Sequence, residues 1–136
     1  MVHLLSPTGK GIRGDPAGDG RYGAKRGEKT HQGTDFLCIP GQDVYAPARA
    51  TILRVANPYK DSTYSGLLLD CTWCYIKLFY LQPITGKGAE VYRGQVIGIA
   101  QDVTERYKGQ AMLPHIHMEV SKLSLNPEHY MIGGCE

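Results

Sequence analysis

The sequence predicts an all-β fold, a single antiparallel β-sheet or sandwich domain with long loops. Its 136 residues include nine tyrosines, seventeen glycines and eight prolines, a composition that favours short strands joined by tight turns. Apolar residues alternate with polar ones in several short stretches, as they do in a strand with one buried face. No stretch between these strands shows the amphipathic helical pattern, about 10–15 residues long, that is typical of α/β proteins.

We expect one domain over residues 1–136, with a loop-rich segment at 1–21 and the core at 22–130. The first 30 residues or so are rich in glycine and charge and show no sustained period, which predicts loops with at most a short strand. A chain of this length can bury a hydrophobic core without a second domain.

The alternation of apolar residues also places the individual strands. Strands are expected at 31–38, at 44–56 with a break at Pro47, at 67–71, at 73–81 and at 115–122. The segment 89–101 predicts a hairpin with strands near 90–92 and 95–101. A loop with one helical turn at 103–108 and a turn-like surface tail at 125–130 complete the prediction.

Charge and hydropathy exclude several classes of partner. The formal net charge of +2 does not favour nucleic acid. No stretch approaches the roughly 20 apolar residues that a membrane-spanning helix needs. The first residues lack the basic and apolar regions of a secretory signal, so we expect synthesis in the cytoplasm. The protein would then act where it is made, or leave by cell lysis or by assembly into a particle.

The cysteines carry no clear metal or redox signature. Cys38, Cys71, Cys74 and Cys135 permit two disulfides, and the C-x-x-C spacing of Cys71 and Cys74 could indicate a zinc knuckle or a redox pair. A structural zinc site would need a second ligand pair of similar spacing, and the sequence contains none. Residues three apart on a strand also face opposite sides. We therefore interpret Cys71 and Cys74 as ordinary buried thiols.

The first chemical signal is the pair His115 and His117, separated by Ile116 in the stretch LPHIHMEVSK. On a strand these two imidazoles lie on one face, while Ile116 and Met118 lie on the other. Two such histidines could bind one metal ion together, or one could be a ligand and the other a proton-transfer group.

A second cluster upstream, His31 to Asp35, completes a possible ligand set. His31, Asp35 and His117 offer two imidazole nitrogens and one carboxylate oxygen, the donor set of a catalytic Zn²⁺ site with an open position. Such an ion lowers the pKa of bound water, and His115 is placed to act as the general base. Gly33 would let the backbone bend closely around the ion. His3 and His129 have no partner at ligand spacing and are expected to be exposed.

These motifs make the sequence recognisable. The order of THQGTDF, IPGQDVYAP, GAEVYRGQVIG and LPHIHMEV over about residues 22–130 resembles the lysostaphin or LytM-type zinc metallopeptidases, whose domain is duplicated-hybrid-motif-like. The finer match of RYGAKRGEKTHQGTDFLC, CYIKLFYLQP and AQDVTERY is similar to the leukocyte cell-derived chemotaxin branch and its microbial and phage relatives.

The resemblance implies a function. It assigns Zn²⁺ to His31, Asp35 and His117, makes His115 catalytic, and implies a metalloendopeptidase that hydrolyses peptide cross-links of bacterial peptidoglycan. The implied partner is a peptidoglycan peptide or another peptide substrate. A phage tail or particle assembly is a further possible partner, with action at the cell wall after lysis or as part of that particle.

One departure from the family pattern opens an alternative. The active enzymes carry a further catalytic histidine in a Y-x-H-L strand, and this chain has no histidine between His31 and His115. Depending on the alignment, Phe79, Tyr80 or Gln82 takes its place. Tyr80 could donate a hydrogen bond to an oxyanion, although tyrosine is a poor base. The alternative is a catalytically impaired, zinc-bound module that binds a peptide or protein or has a structural role.

Overall fold

The computed structural model describes residues 3–26 and 29–122, and the regular secondary structure of this part of the chain is almost entirely β-strand. One short 3₁₀ turn, Val103–Glu105, interrupts the strands, and no α-helix occurs among the described residues. Every strand pairing is antiparallel. The all-β antiparallel fold predicted from the sequence is confirmed.

The strands are numbered in chain order. They are β1 (Gly14–Asp15), β2 (Gly18–Asp19), β3 (Lys25–Arg26), β4 (Lys29–Thr30), β5 (Thr34–Leu37), β6 (Asp43–Tyr45), β7 (Ala50–Val55), β8 (Gly66–Asp70), β9 (Cys74–Phe79), β10 (Leu81–Pro83), β11 (Glu90–Val91), β12 (Val96–Ala100) and β13 (His115–Lys122).

Two main sheets enclose the hydrophobic core. The larger sheet has the order β11-β7-β8-β9-β13-β5, and the smaller has the order β10-β12-β6. Strands β1 and β2, and likewise β3 and β4, form two-stranded ladders in the amino-terminal segment. One cluster of buried side chains contains Leu67 and Ile76 from the larger sheet and Val44 and Ile97 from the smaller. The two sheets therefore share one core.

The period-two pattern explains which faces are buried. Along β9, the side chains of Cys74, Ile76 and Leu78 are buried in the core, and the residues between them are only partly covered. Along β13, Ile116 and Met118 enter the same core. Their neighbours on that strand are thereby turned to the opposite face of the sheet.

The predicted strand 73–81 is divided in the structure, and this corrects the prediction. Tyr80 has a φ of +77°, so β9 ends at Phe79 and the chain crosses into the smaller sheet as β10. The backbone N–H of Tyr80 and that of Leu81 both donate to the carbonyl oxygen of Ser65, at 2.8 and 3.2 Å. Aromatic and aliphatic residues of high strand propensity lie on both sides of Tyr80, so the local sequence does not indicate that the strand ends there.

The predicted hairpin at 89–101 is wrong. β11 pairs with β7 in the larger sheet, whereas β12 pairs with β6 and β10 in the smaller. Gly94, with a φ of +85°, lies in the turn between them, and its N–H donates to Ala46 O at 2.9 Å. Glycine adopts this conformation without steric cost, and here the turn carries the chain from one sheet to the other.

The cysteines agree with the prediction of buried thiols, with one correction to their geometry. Cys38, Cys71 and Cys74 are buried and free. Cys71 and Cys74 flank the turn between β8 and β9, and both side chains are buried in the same core cluster, so they do not face opposite sides. Cys135, His129 and the predicted tail at 125–130 lie outside the described residues. Among residues 3–26 and 29–122 there is no apolar helix of membrane-spanning length.

We predict that Gly66→Ala destabilises the fold strongly. A Cβ at this position would lie 2.0 Å from Leu78 O and 3.0 Å from Ala56 O, so the β8–β9 pairing would have to shift. Overpacking of this kind costs about 1–3 kcal/mol of unfolding free energy, measurable by urea denaturation. Gly86→Ala is the matched control, because nothing lies within 4 Å of its Cβ. Equal stability of the two variants would contradict the predicted contact.

We also predict that three cysteines resist alkylation in the folded protein. Burial raises the pKa of the Cys38 and Cys71 thiols to about 12, and it raises the pKa of Cys74 as well. At pH 8 only about one thiol in 10,000 with such a pKa is ionised, and the thiolate is the reactive form. Peptide mass spectrometry after iodoacetamide treatment should find these residues unmodified, and modified once urea is added. Rapid modification in the native protein would contradict the prediction.

Candidate metal centre

The site is built on the pairing of β5 with β13. In this antiparallel register His117 lies directly opposite Asp35, and directly opposite residues have Cβ atoms about 4.5–5.5 Å apart. Because Ile116 and Met118 point into the core, His117 points to the other face, towards Asp35. Asp35 is itself buried. Two side chains that lie 82 positions apart in the sequence thus meet at one hydrogen-bond distance.

His31 completes a group of three. Its backbone N–H donates to Ala24 O at 2.7 Å, which ties the segment before β5 to the amino-terminal loops. His31 Nε2 lies 3.0 Å from His117 Nδ1 and 3.2 Å from Asp35 Oδ1. His117 Nδ1 lies 2.9 Å from Asp35 Oδ1. We call His31, Asp35 and His117 the metal-binding triad, since their ligand atoms all lie within 4.8 Å of one another.

Outer hydrogen bonds orient both imidazoles of the triad. His31 Nδ1–H donates to the carbonyl oxygen of Arg21 at 3.1 Å, and His117 Nε2–H donates to Glu119 Oε1 at 3.0 Å. When both imidazoles are neutral, these bonds leave the lone pairs of His31 Nε2 and His117 Nδ1 available to a metal ion, and when His117 is protonated its Nδ1–H donates to Asp35 Oδ1. Metal-ligating histidines almost always have such an outer partner, so the arrangement fits a metal site.

A buried arginine holds the third member. Arg13 Nε lies 3.3 Å from Asp35 Oδ2, and Arg13 Nη1 donates to both carboxylate oxygens of Asp15 at 2.9 Å. Only 3% of Arg13 is exposed to solvent, which makes it a fixed partner. Since Oδ2 of Asp35 contacts Arg13, Oδ1 is the oxygen presented to the two histidines.

The electrostatic field at the triad favours a positive charge. Burial opposes ionisation of Asp35, but the hydrogen bond to His117 and the three nearby histidines outweigh it and lower the pKa of this carboxyl. Burial likewise opposes protonation of His117, but Asp35 and Glu119 outweigh it and raise the pKa of this imidazole. Two nitrogens and one carboxylate oxygen, at about the separation found between ligands of one ion, form a donor set that Zn²⁺ prefers.

His115 faces the same site without belonging to the triad. Its Nδ1–H donates to Leu113 O at 2.9 Å, and its Nε2 lies 3.7 Å from Asp35 Oδ2. Burial is the main cause that lowers the pKa of His115. The imidazole is therefore neutral at physiological pH, with the lone pair of Nε2 available to accept a proton.

Tyr80 is the residue of the three alternatives that the structure brings beside His115. The two rings meet edge to face, with centroids 5.5 Å apart. Burial raises the pKa of the Tyr80 phenol to about 12, so it remains a hydrogen-bond donor. Phe79 lies next to it but stacks on the ring of His117, and Gln82 lies exposed on β10, where it pairs with Ile99.

These groups surround one open pocket of about 330 Å³. The metal-binding triad, His115 and Tyr80 line it together with Arg13, Ala17, Tyr107, Gln110 and Met112. All five site residues predicted from the sequence thus lie around a single cavity, whereas His3 lies exposed elsewhere. Their roles as ligands and catalysts remain predictions.

Sequence reasoning missed several residues that support this site. Glu119 follows His117 by two positions on the same strand, so its place on the shared face could have been read from the period of two. Arg13 reaches the site because its N–H donates to Asp35 O at 2.8 Å, next to a bridge between Ile12 and Phe36. No periodic pattern or motif spacing marks Arg13 in advance.

The all-β fold is similar to the solved folds of zinc peptidases and of lysostaphin. A zinc-containing peptidase from Vibrio cholerae matches with a TM-score of 0.61 and 23% identity, over 89% of this chain and 37% of that one. The catalytic domain of the antimicrobial peptidase lysostaphin from Staphylococcus simulans matches with a TM-score of 0.54 and 23% identity, over 83% and 87% of the two chains. At these identities the likeness shows the fold alone.

Sequence similarity narrows the assignment. Leukocyte cell-derived chemotaxin-2 from Bos taurus is 36% identical over 119 residues, which cover 86% of this chain and 76% of the relative. The chain belongs to the leukocyte cell-derived chemotaxin-2 family. No protein-family profile matches the chain.

We predict that Gly33→Ala weakens Zn²⁺ binding. A Cβ on Gly33 would lie 2.4 Å from Met118 O and 2.8 Å from Cε1 of His117, so the imidazole would have to move away from its triad partners. Misorientation of a metal ligand typically costs about 10–100-fold in affinity, which competition with a zinc chelator would measure. Gly86→Ala should bind Zn²⁺ like the wild type. Unchanged affinity in a folded Gly33→Ala protein would show that His117 is not a ligand.

Proposed function

We propose that this protein is a zinc metalloendopeptidase that hydrolyses peptide bonds. The observation that carries the proposal is the convergence of the metal-binding triad, a neutral His115 and a protonated Tyr80 on one open pocket. The triad supplies three protein ligands, and a pocket beside them gives a peptide access. This is the general arrangement of a metal-assisted hydrolase.

The metal ion, His115 and Tyr80 would each have a different role in the reaction. When bound, Zn²⁺ would lower the pKa of water and polarise a carbonyl group. His115, held by Leu113 through Nδ1, can accept a proton at Nε2 and return it to the departing amine. Tyr80 can donate its hydroxyl proton as a hydrogen bond to the peptide carbonyl oxygen as negative charge develops there.

Peptide cross-links of bacterial peptidoglycan are the proposed substrate. Two findings support this class: the motifs shared with the lysostaphin-type enzymes, and the structural likeness to lysostaphin, which is described as an antimicrobial peptidase. A pocket that is open to solvent gives a flexible peptide bridge access to these groups. Action at the cell wall after lysis, or from within a phage particle, belongs to the same proposal.

A second candidate is a zinc-bound binding module that cuts no bond. The specific observation in its favour is Tyr80, which lies beside His115 where the lysostaphin-type enzymes are expected to have a histidine. Because its phenol has a pKa of about 12, it cannot replace an imidazole in proton transfer near neutral pH.

One set of preparations separates the two candidates. The zinc-loaded wild type is incubated with purified bacterial sacculi, and the release of new amino groups is measured alongside zinc content and sacculus binding. We expect amine release by the wild type, loss of both zinc and release in His117→Ala, and retained zinc with about 100-fold slower release in His115→Ala. His3→Ala, which changes an exposed histidine, is the matched control and should resemble the wild type.

Other outcomes are equally informative. Zinc retained by His117→Ala would refute the ligand assignment. A wild type that binds sacculi without releasing amines, together with release by Tyr80→His, would establish the binding module and identify Tyr80 as the cause of inactivity. Absence of both binding and release would exclude peptidoglycan as the ligand.

A further inference from the structure

Three tyrosines form a continuous chain of hydroxyl groups, and the two at its ends, Tyr80 and Tyr107, both line the pocket. Tyr59 Oη lies 2.5 Å from Tyr107 Oη and 3.1 Å from Tyr80 Oη. Tyr59 comes from the loop between β7 and β8, and Tyr107 follows the 3₁₀ turn. We call these three residues the tyrosine chain. Two loops distant in sequence are thus joined to the residue that faces His115.

We propose that Tyr59 and Tyr107 are positioning residues that hold the Tyr80 hydroxyl so that its proton points into the pocket, towards an oxyanion bound there. The inference deepens the proposed function, on which the identity of that oxyanion as a peptide carbonyl oxygen rests. It assigns a role to Tyr59, which lies outside the motifs quoted above, and to Tyr107, the last residue of AQDVTERY.

The number of protons on the three hydroxyl groups allows all the hydrogen bonds of the chain to point towards the pocket. Each tyrosine hydroxyl has one proton to donate and lone pairs to accept with. If Tyr107 donates to Tyr59 and Tyr59 donates to Tyr80, the proton of Tyr80 is left free for a further acceptor. An anionic acceptor in the pocket favours this polarity over the reverse, because hydrogen bonds in a chain reinforce one another when they all point towards the charge.

A cation stabilises the middle of the chain. The guanidinium carbon of Arg106 lies 3.6 Å from the centre of the Tyr59 ring, and Arg106 Nη1 donates to Asp61 Oδ2 at 2.8 Å. A guanidinium over a phenol ring attracts its electrons and makes the hydroxyl a better donor. Negative charge that develops beside Tyr80 would be shared along the chain towards Arg106.

Backbone hydrogen bonds and ring packing hold Tyr80 in place. Hydrogen bonds from Tyr80 N to Ser65 O and from Gln101 N to Tyr80 O, at 2.8 and 2.9 Å, hold the backbone of Tyr80. The ring of Tyr64 packs edge-on against Tyr59 and Tyr80, with centroids 6.0 and 5.9 Å away. The rotation of the Tyr80 hydroxyl is the freedom that remains, and the tyrosine chain is what sets it.

Inorganic phosphate is a suitable probe, because it is a tetrahedral oxyanion that requires no knowledge of the cleaved bond. Its dissociation constant from the zinc-loaded protein would be measured by calorimetry for the wild type and for Tyr80→Phe, Tyr59→Phe and Tyr107→Phe, with zinc content checked for each. Tyr64→Phe is the matched control, because the Tyr64 hydroxyl donates to Asp102 O at 2.9 Å, outside the chain.

We expect phosphate to bind about 10–100-fold more weakly to Tyr80→Phe, the loss of one hydrogen bond to a charged group. Tyr59→Phe should lose about 3–10-fold and Tyr107→Phe somewhat less, while Tyr64→Phe keeps wild-type affinity. The double variant Tyr59→Phe with Tyr80→Phe should be no weaker than Tyr80→Phe alone, because Tyr59 acts through Tyr80. A general structural defect would not produce this lack of additivity.

The inference is overturned if the wild type binds no phosphate, if Tyr59→Phe binds it like the wild type, or if the losses at Tyr59 and Tyr80 add. These outcomes are independent of the sacculus assay. Phosphate data as expected without amine release from sacculi would leave the tyrosine chain established and reject the peptidase. Amine release by the wild type, with unaltered phosphate binding in Tyr59→Phe, would support the peptidase and reject the role of the tyrosine chain.

Discussion

The register between β5 and β13 is the constraint on which the rest of the site depends. It sets His117 opposite Asp35, and the same register places Ile116 and Met118 in the shared core. A slip of one residue would turn every side chain of β13 to the other face, burying the histidines and exposing the apolar residues. One pairing therefore fixes both the core packing and the approach of His117 to Asp35.

Part of this site could be predicted from local sequence alone. The period of two places His115 and His117 on one face, and it extends without change to Glu119. The meeting of this strand with Asp35 is a long-range pairing, which spacing does not encode and which the resemblance to a known family supplied. Neither the period of two nor the family resemblance identifies Arg13, because it reaches Asp35 through a short bridge in a segment without regular strands.

The fold shows a similar division between local and long-range information. The existence of most strands follows from the alternation of apolar residues, but their partners do not, because pairing depends on contacts far apart in the chain. The segment 89–101 carries a visible turn signal at Gly94, yet the turn leads to a different sheet and not to a hairpin. At Tyr80 even the turn signal is missing, since an aromatic residue adopts a conformation that usually requires glycine.

That unusual conformation connects the architecture to the chemistry. Holding a residue other than glycine at positive φ costs about 1–3 kcal/mol, which the hydrogen bonds to Ser65 and Gln101 help to offset. These bonds involve only the backbone, so the junction between the two sheets does not depend on which side chain stands at position 80. The metal-binding triad lies elsewhere in the fold, on β5, on β13 and in the segment before β5. Under the proposed function, metal binding and proton transfer are therefore separable, and the side chain at position 80 bears only on proton transfer.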